Sequence, residues 1–311
     1  MEFWIAIVVI LLILVVVAIY VVYDICFSNN KRYMYDDDCL PMGEQYEPYH
    51  EVIRKGVELV RAESYEPISV MSLDGLRLAG KYYHFKDGAL VVIFFHGYRC
   101  SAIRDGNGMF RFAKALGYNL LMIDQRAHGL SEGKTITFGI QERWDCLCWI
   151  EYLVERFGKD TEILLCGISM GAATVLMASD VGLPENVKGI LADCGYSSPR
   201  EIIRTVIKDL HYPVGITYRL AKTGARIFGG FDLEEASAVE ALRNSKLPVL
   251  LIHGDDDRFV PCSMSEECRT AGEDHIQLLT IHNAGHGLCY CVSAKEYEEA
   301  IVEFCRRVLS E

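Results

Sequence analysis

The chain is short of cations. Its 31 Lys and Arg stand against 43 Asp and Glu, a formal net charge of −12, and no run of basic residues occurs anywhere. That excludes a nucleic-acid partner, because a polyanion is held by a basic face that displaces its counterions. Internal repeats and low-complexity tracts are also absent, so the chain does not read as an array of modules. The 12 cysteines form no zinc framework. Cys146 with Cys148, and Cys289 with Cys291, are isolated pairs. Cys166, Cys194 and Cys305 sit inside apolar runs, where a thiol packs as a small hydrophobe. No metal and no organic cofactor is called for, and reduced thiols suit a cytosolic face or an anaerobic habitat.

Charge is missing altogether from one stretch, FWIAIVVILLILVVVAIYVVY, Phe3 to Tyr23. At ~1.5 Å per residue a helix of that length spans roughly 30 Å, the thickness of a bilayer core. Buried helices of soluble proteins rarely lack polar residues all round. A cleaved signal peptide calls for a basic leader and a small-residue cleavage site, whereas here Met1-Glu2 precede the run and Ile, Val and Tyr end it. Nor does YDIC, ending at Cys26, offer the small residues of a lipid-attachment site. The expectation is one uncleaved transmembrane helix over residues 1–25, seated in the bilayer through residues 3–23, making a single-pass membrane protein. Lys31 and Arg32 follow it and nothing basic precedes it except the terminal amine. The positive-inside rule then favours the cytoplasmic side for the rest of the chain.

Residues 26–66 read as a polar tether, with DDD at 36–38, Pro41 and Pro48, ending in a leading helix around His50 to Ala62. From residue 67 the pattern becomes regular. PISVMSLDGLRLAGKYYHF alternates around Asp74-Gly75, a hairpin signal. Apolar runs follow at 90–97, 119–126, 162–169, 187–195, 248–255 and 276–283, separated by helix-length segments such as 142–157, with 295–309 as the final helix. Such runs alternating with helices predict an α/β fold: a mostly parallel central sheet covered by helices on both faces, with the hairpin making it mixed. One interval breaks the rhythm. Roughly fifty residues separate the fourth and fifth of these runs, far beyond a usual connection. They read as two helices around Pro213 followed by Gly229-Gly230, a helical lid insertion at about 199–243 over the C-terminal edge of the sheet. Ligands bind at that edge in open α/β sheets. The candidate catalytic motifs all fall within this domain, residues 67–311.

Gly-x-Ser-x-Gly occurs around both Ser131 and Ser169. The pattern marks a nucleophile only where a strand ends in a sharp turn and a helix starts at once. Ser131 fails: its strand ends several residues earlier, and EGKTITFG follows rather than a helix. Ser169 passes, with EILLCGI as strand and the Ala-rich MGAATVLMAS as helix start. The turn sets the hydroxyl at the helix N-terminus, where the Met170 amide can donate to a developing oxyanion. A serine needs a base held by an acid, and on such a fold the chain order is Ser, acid, His. His286, in the Gly-flanked loop HNAGHGLC after the last strand, sits at the same edge as Ser169. His282 falls in the strand end and His275 before it, so both read as structural, as does His96, which comes before the serine. For the acid, IHGDDDRFVP offers Asp255, Asp256 and Asp257, with Asp193 a weaker alternative; spacing does not choose among them. HGYRCS brings a second oxyanion donor, the Tyr98 amide, to the same edge.

These residues resemble the α/β-hydrolase superfamily over roughly residues 67–309, in particular its lid-bearing, serine aminopeptidase-like and esterase-like branch. The motifs that carry the likeness are FFHGY (94–98), DQRAHGLSEG (124–133), GISMGAAT (167–174), HGDDDRFVP (253–261) and AGHG (284–287). The resemblance implies a triad of Ser169, Asp257 and His286, with Tyr98 and Met170 amides as the oxyanion hole. It implies a structural role for the loop holding Ser131. The expected activity is a membrane-anchored serine hydrolase that cleaves carboxylic esters through an acyl-enzyme, on a small-molecule or lipid-like acyl substrate. Amides, in an amidase or aminopeptidase, and thioesters use the same triad. A catalytically silent, membrane-tethered binding protein on this fold is the reading from a different class.

Overall fold

The computed structural model describes residues 1–29 and 40–309. The acidic run at 36–38, with Lys31 and Arg32, therefore lies outside the described residues. A helix, Glu2–Cys26, opens the chain; it is long and apolar enough to cross a membrane, and its most apolar window is not buried against the rest of the protein. A second helix, His50–Ala62, turns Ile53, Val57 and Val60 inward, the spacing of one helical face.

Eight strands then form one sheet: β1 (Glu66–Met71), β2 (Arg77–Tyr83), β3 (Val91–Phe95), β4 (Asn119–Asp124), β5 (Ile163–Ile168), β6 (Val187–Asp193), β7 (Val249–Gly254) and β8 (Ile276–Ile281). Their order is β1-β2-β4-β3-β5-β6-β7-β8. β1 and β2 form the hairpin foreseen at Asp74-Gly75, and β2 meets β4 antiparallel; every later pairing is parallel. β3, β4 and β7 are buried at every position, which is why they read as unbroken apolar runs rather than alternating ones. Helices cover both faces and divide the core into two apolar layers, one around Trp149 and Leu165, the other around Phe110 and Leu250. The edge strand β8, by contrast, is buried only at its two ends.

The insertion between β6 and β7 holds three helices, one more than the two expected: Pro199–Asp209, Val214–Gly224, which runs on into one π-helical turn, Ala225–Gly229, and Ala238–Asn244. Pro213, the N-cap of the second of these, breaks the path between the first two. The insertion packs against the end of the first helix. Gly224 and Gly229 leave room for Tyr23: a Cβ on Gly224 would lie 2.9 Å from Tyr23 Cβ. Phe27 is fully buried, its ring 5.7 Å from Phe138 and 5.4 Å from Phe231. Nothing in the sequence pattern anticipated that the apolar helix would end inside the core of the α/β domain.

Candidate active site

The strand β5 ends at Ile168, and the helix Met170–Ala178 begins two residues later. Ser169 between them has φ 54° and ψ −116°, a conformation L-residues avoid and that the packing around it must hold. Its neighbours show why glycine flanks it. A Cβ on Gly167 would come within 2.3 Å of the Gly171 carbonyl group, and one on Gly171 within 2.0 Å of the Phe95 carbonyl oxygen. Ser169 N donates to the Asp193 carbonyl at 2.8 Å, which ties the turn to β6.

Ser169 Oγ lies 2.9 Å from His286 Nε2, and His286 Nδ1 lies 2.7 Å from Asp257 Oδ2. A carboxylate only accepts, so Nδ1 carries the proton and Nε2 is left to accept from the serine hydroxyl. Asp257 is held from all sides. Its Oδ1 accepts from the Phe259 and Val260 amides at 2.9 and 2.8 Å. The His253 ring, which reaches the Val260 carbonyl through Nε2 at 2.9 Å, brings that same N–H to 3.2 Å from Asp257 Oδ2. Burial would raise the Asp257 pKa, but the hydrogen bonds from His253 and His286 outweigh it and hold the carboxyl far below the usual range. Asp257 is thus ionised wherever the protein is folded near neutrality.

The neighbouring acids do other work. Asp255 meets His282 Nδ1 at 2.7 Å and Asp256 pairs with Arg258 at 3.1 Å, both at the surface. Asp193 is buried beside the site, with Oδ1 lacking a hydrogen-bond partner, and burial pushes its pKa up to about 6. Ser131 is buried, donating to the Asp124 carbonyl and accepting from the Ala79 amide at 2.8 Å, so it pins the loop it belongs to. His96 is also buried, 2.8 Å from the Gly97 carbonyl through Nδ1 and accepting from the Gln125 amide through Nε2 at 3.1 Å; burial lowers its pKa. His275 meets Asp274 at 2.7 Å. Cys194 Sγ, an Asp257 oxygen and a His286 nitrogen lie within 4.8 Å of one another. That is no ready metal site, since the histidine and carboxylate already engage each other and burial holds the Cys194 thiol protonated.

Met170 is the first helical residue after the serine and is fully buried. The loop after β3 approaches from the other side: a Cβ on Gly97 would lie 3.5 Å from Ser169 Cβ. Two supports of that loop have no signal in the sequence. Asp105 accepts from the Gly97 amide at 2.8 Å and from the Cys100 thiol at 2.6 Å. The Tyr98 hydroxyl donates to the Cys26 carbonyl at 2.8 Å, and Arg99 donates to the Ile25 and Ser28 carbonyls at 2.9 Å each. The end of the apolar helix therefore grips the residues next to the serine.

A cavity of about 560 Å³ opens at Ser169 and His286. Phe94, Met109, Ile168 and Phe259 give it apolar walls, and Arg104, Asp105 and Asn107 a polar side. Pro41, Met42 and Tyr46 close part of it, so the segment expected to be a plain tether contributes to the pocket. Among the described residues that line it, none belongs to the insertion at 199–243.

A strained serine between strand and helix, on a mostly parallel eight-stranded sheet, defines an α/β hydrolase. Solved structures agree on the fold. An esterase of Pyrococcus furiosus superposes with a TM-score of 0.64 at 22% identity, over 79% of this chain and 92% of its own. An α/β hydrolase of Vibrio vulnificus does so at 0.61 and 20%, over 89% and 91%. Among curated proteins, the uncharacterised YqkD of Bacillus subtilis is 26% identical over 76% of this chain and 77% of its own length. Human protein ABHD12B is 26% identical over 57% of this chain and 48% of its own. The lysophosphatidylserine lipase ABHD12 of Danio rerio is 24% identical over 59% and 47%, so the chain spans about half the length of these last two. The model of the prolyl oligopeptidase family matches residues 137–311. The chain belongs to that family and is a serine hydrolase.

Proposed function

We propose that the protein is a membrane-anchored hydrolase of carboxylic esters, with Ser169 as nucleophile, His286 as base and Asp257 as the acid that orients it. The observation that carries this reading is the unbroken pair of hydrogen bonds, Ser169 to His286 at 2.9 Å and His286 to Asp257 at 2.7 Å. Ser169 Oγ attacks the acyl carbon while its proton passes to His286 Nε2, and the carbonyl oxygen becomes an oxyanion. The Met170 and Tyr98 amides donate to that oxyanion. The imidazolium, stabilised by ionised Asp257, gives its proton to the leaving alkoxide, and an acyl-enzyme remains. Water then attacks the acyl carbon, its proton going to Nε2, and Ser169 leaves with that proton.

The helix Glu2–Cys26 supplies the anchor, its apolar run matching a bilayer core, and the domain at 67–311 sits on the cytoplasmic side. Residues 26–66 join the two; the insertion at 199–243, expected as a lid, contributes none of the described residues that line the cavity. A lipid-like acyl substrate fits the apolar walls of the cavity, and the name of the Danio rerio relative points the same way. Turnover of p-nitrophenyl esters of rising chain length, against aminoacyl anilides, tests the substrate class. Faster turnover of medium or long acyl esters is expected, and cleavage of anilides alone would replace the ester reading with a peptidase one.

A further inference from the structure

The insertion carries a surface that the cavity does not use. Five large apolar side chains, Leu210, Tyr212, Ile216, Ile227 and Phe228, are exposed within nineteen residues of chain, with Ile216 65% and Ile227 64% exposed. The helical pair that carries them is cationic, although the insertion as a whole, 199–243, holds seven Lys and Arg against six acidic residues. Residues 199–230 hold six Lys and Arg against two acidic residues, a net of +4 in a chain whose net charge is −12. Asp232 and Glu234 engage Lys222 and Arg226, but Arg204, Lys208 and Arg219 are outside that cluster.

The geometry of the apolar helix sets the depth of this surface. Its uncharged run lies between Glu2 and Asp24 and is about 31 Å long at ~1.5 Å per residue, close to the ~30 Å of a hydrocarbon core. The boundary of the hydrocarbon therefore falls near Tyr23. Yet the insertion already touches the helix within that run. A Cβ on Gly224 would lie 3.1 Å from the Ile19 carbonyl, and the Phe228 ring lies 5.2 Å from Tyr20 and 5.7 Å from Tyr23. Four residues of rise put Ile19 about 6 Å inside the boundary. If only the stretch clear of the insertion, Phe3–Val17, crossed the core, it would reach about 22 Å, too short.

We propose that the exposed face of the insertion, led by Ile216, Ile227 and Phe228, is an interfacial surface seated in the same leaflet from which the anchor helix emerges, with its cations on anionic headgroups. This rests on the anchor reading above. Apolar residues at the acyl boundary flanked by Lys and Arg are what such a surface requires. The Tyr98 hydroxyl on Cys26 then fixes the mouth of the active site close to the lipid surface.

The full chain in vesicles of brominated phosphatidylcholine mixed with phosphatidylglycerol tests it by tryptophan quenching. Trp4 reports on the anchor, through the quenched emission that Trp4→Phe removes. Ile227→Trp and Ile216→Trp report on the insertion, and Leu116→Trp, just before the N-terminal end of β4, is the control. The expected result is loss of the added emission at 227 and 216, stronger with bromine high on the acyl chain than near its end, and no loss at 116. Quenching of Trp4 with none at 216 and 227 overturns the docking surface and leaves the anchor standing. No quenching of Trp4 overturns both.

Discussion

Replacing Asp257 by Asn changes one atom of the site and reverses a proton. In the parent, Asp257 Oδ2 accepts from His286 Nδ1 at 2.7 Å, which leaves Nε2 free to take the proton of Ser169. Asn keeps an oxygen for the Phe259 and Val260 amides, now at 2.9 and 2.8 Å from Oδ1, and so turns its NH2 toward His286. Nδ1 must then accept, the proton moves to Nε2, and Ser169 faces a donor instead of a base. A triad in the wrong tautomer loses about 10⁴-fold in kcat, about 5 kcal/mol of barrier. The NH2 also faces the His253 N–H at 3.2 Å, so some stability is lost as well, and thermal unfolding of the variant separates the two effects. The assay is kcat for a p-nitrophenyl ester, with Asp255→Asn and Asp256→Asn as controls. Those acids pair with exposed His282 and Arg258, and their loss is expected to leave kcat near the parent's. A folded Asp257→Asn enzyme that keeps a tenth of the parent kcat would overturn the role given to Asp257, and so would an equal loss at Asp255.

Phe27→Ala is expected to destabilise the α/β domain by about 3–5 kcal/mol, since a fully buried ring leaves a cavity against Phe138 and Phe231. Leu12→Ala, on the exposed part of the same helix, is expected to leave thermal unfolding in detergent unchanged. For Asp193 the effect depends on pH. Burial raises its pKa from 3.8 to about 6, so the folded protein holds that proton more tightly than the unfolded chain does. Full stability from this group is present below the unfolded value and is lost as pH rises through about 6, a loss of about 3 kcal/mol. Asp193→Asn removes the dependence. Its melting temperature is therefore expected to gain on the parent's as pH rises across that window, and parallel curves would contradict the assignment.

How much of this was legible in the sequence alone depended on what a residue's neighbours were. β3, β4 and β7 announced themselves because strands covered on both faces carry apolar residues at consecutive positions, VVIFF in β3, LLMI in β4 and VLLI in β7. The turn at Ser169 showed because two glycines must flank it, and Gly171 would otherwise strike the Phe95 carbonyl. Ser131 had the same glycines but no helix behind it, and its hydroxyl is engaged by the backbone of Ala79 and Asp124. The choice of Asp257 among three consecutive acids came from family likeness; the physical discriminator, histidine and amide neighbours converging on one carboxylate, exists only in three dimensions. What stayed hidden was long-range and apolar. Tyr23 and Phe27 look like the tail of a lipid-facing run, and nothing in an apolar side chain says whether lipid or Phe231 covers it. Likewise Asp105, Met42 and Tyr46 carry no motif, and they reach the site only through the path of the backbone.

The proposed chemistry stands or falls with the activation of Ser169 by His286. Site mapping after reaction with a fluorophosphonate measures this directly. One adduct is expected, on the peptide carrying Ser169, abolished by Ser169→Ala and strongly slowed by His286→Ala. Labelling that persists in Ser169→Ala, or an adduct on another residue, would contradict it.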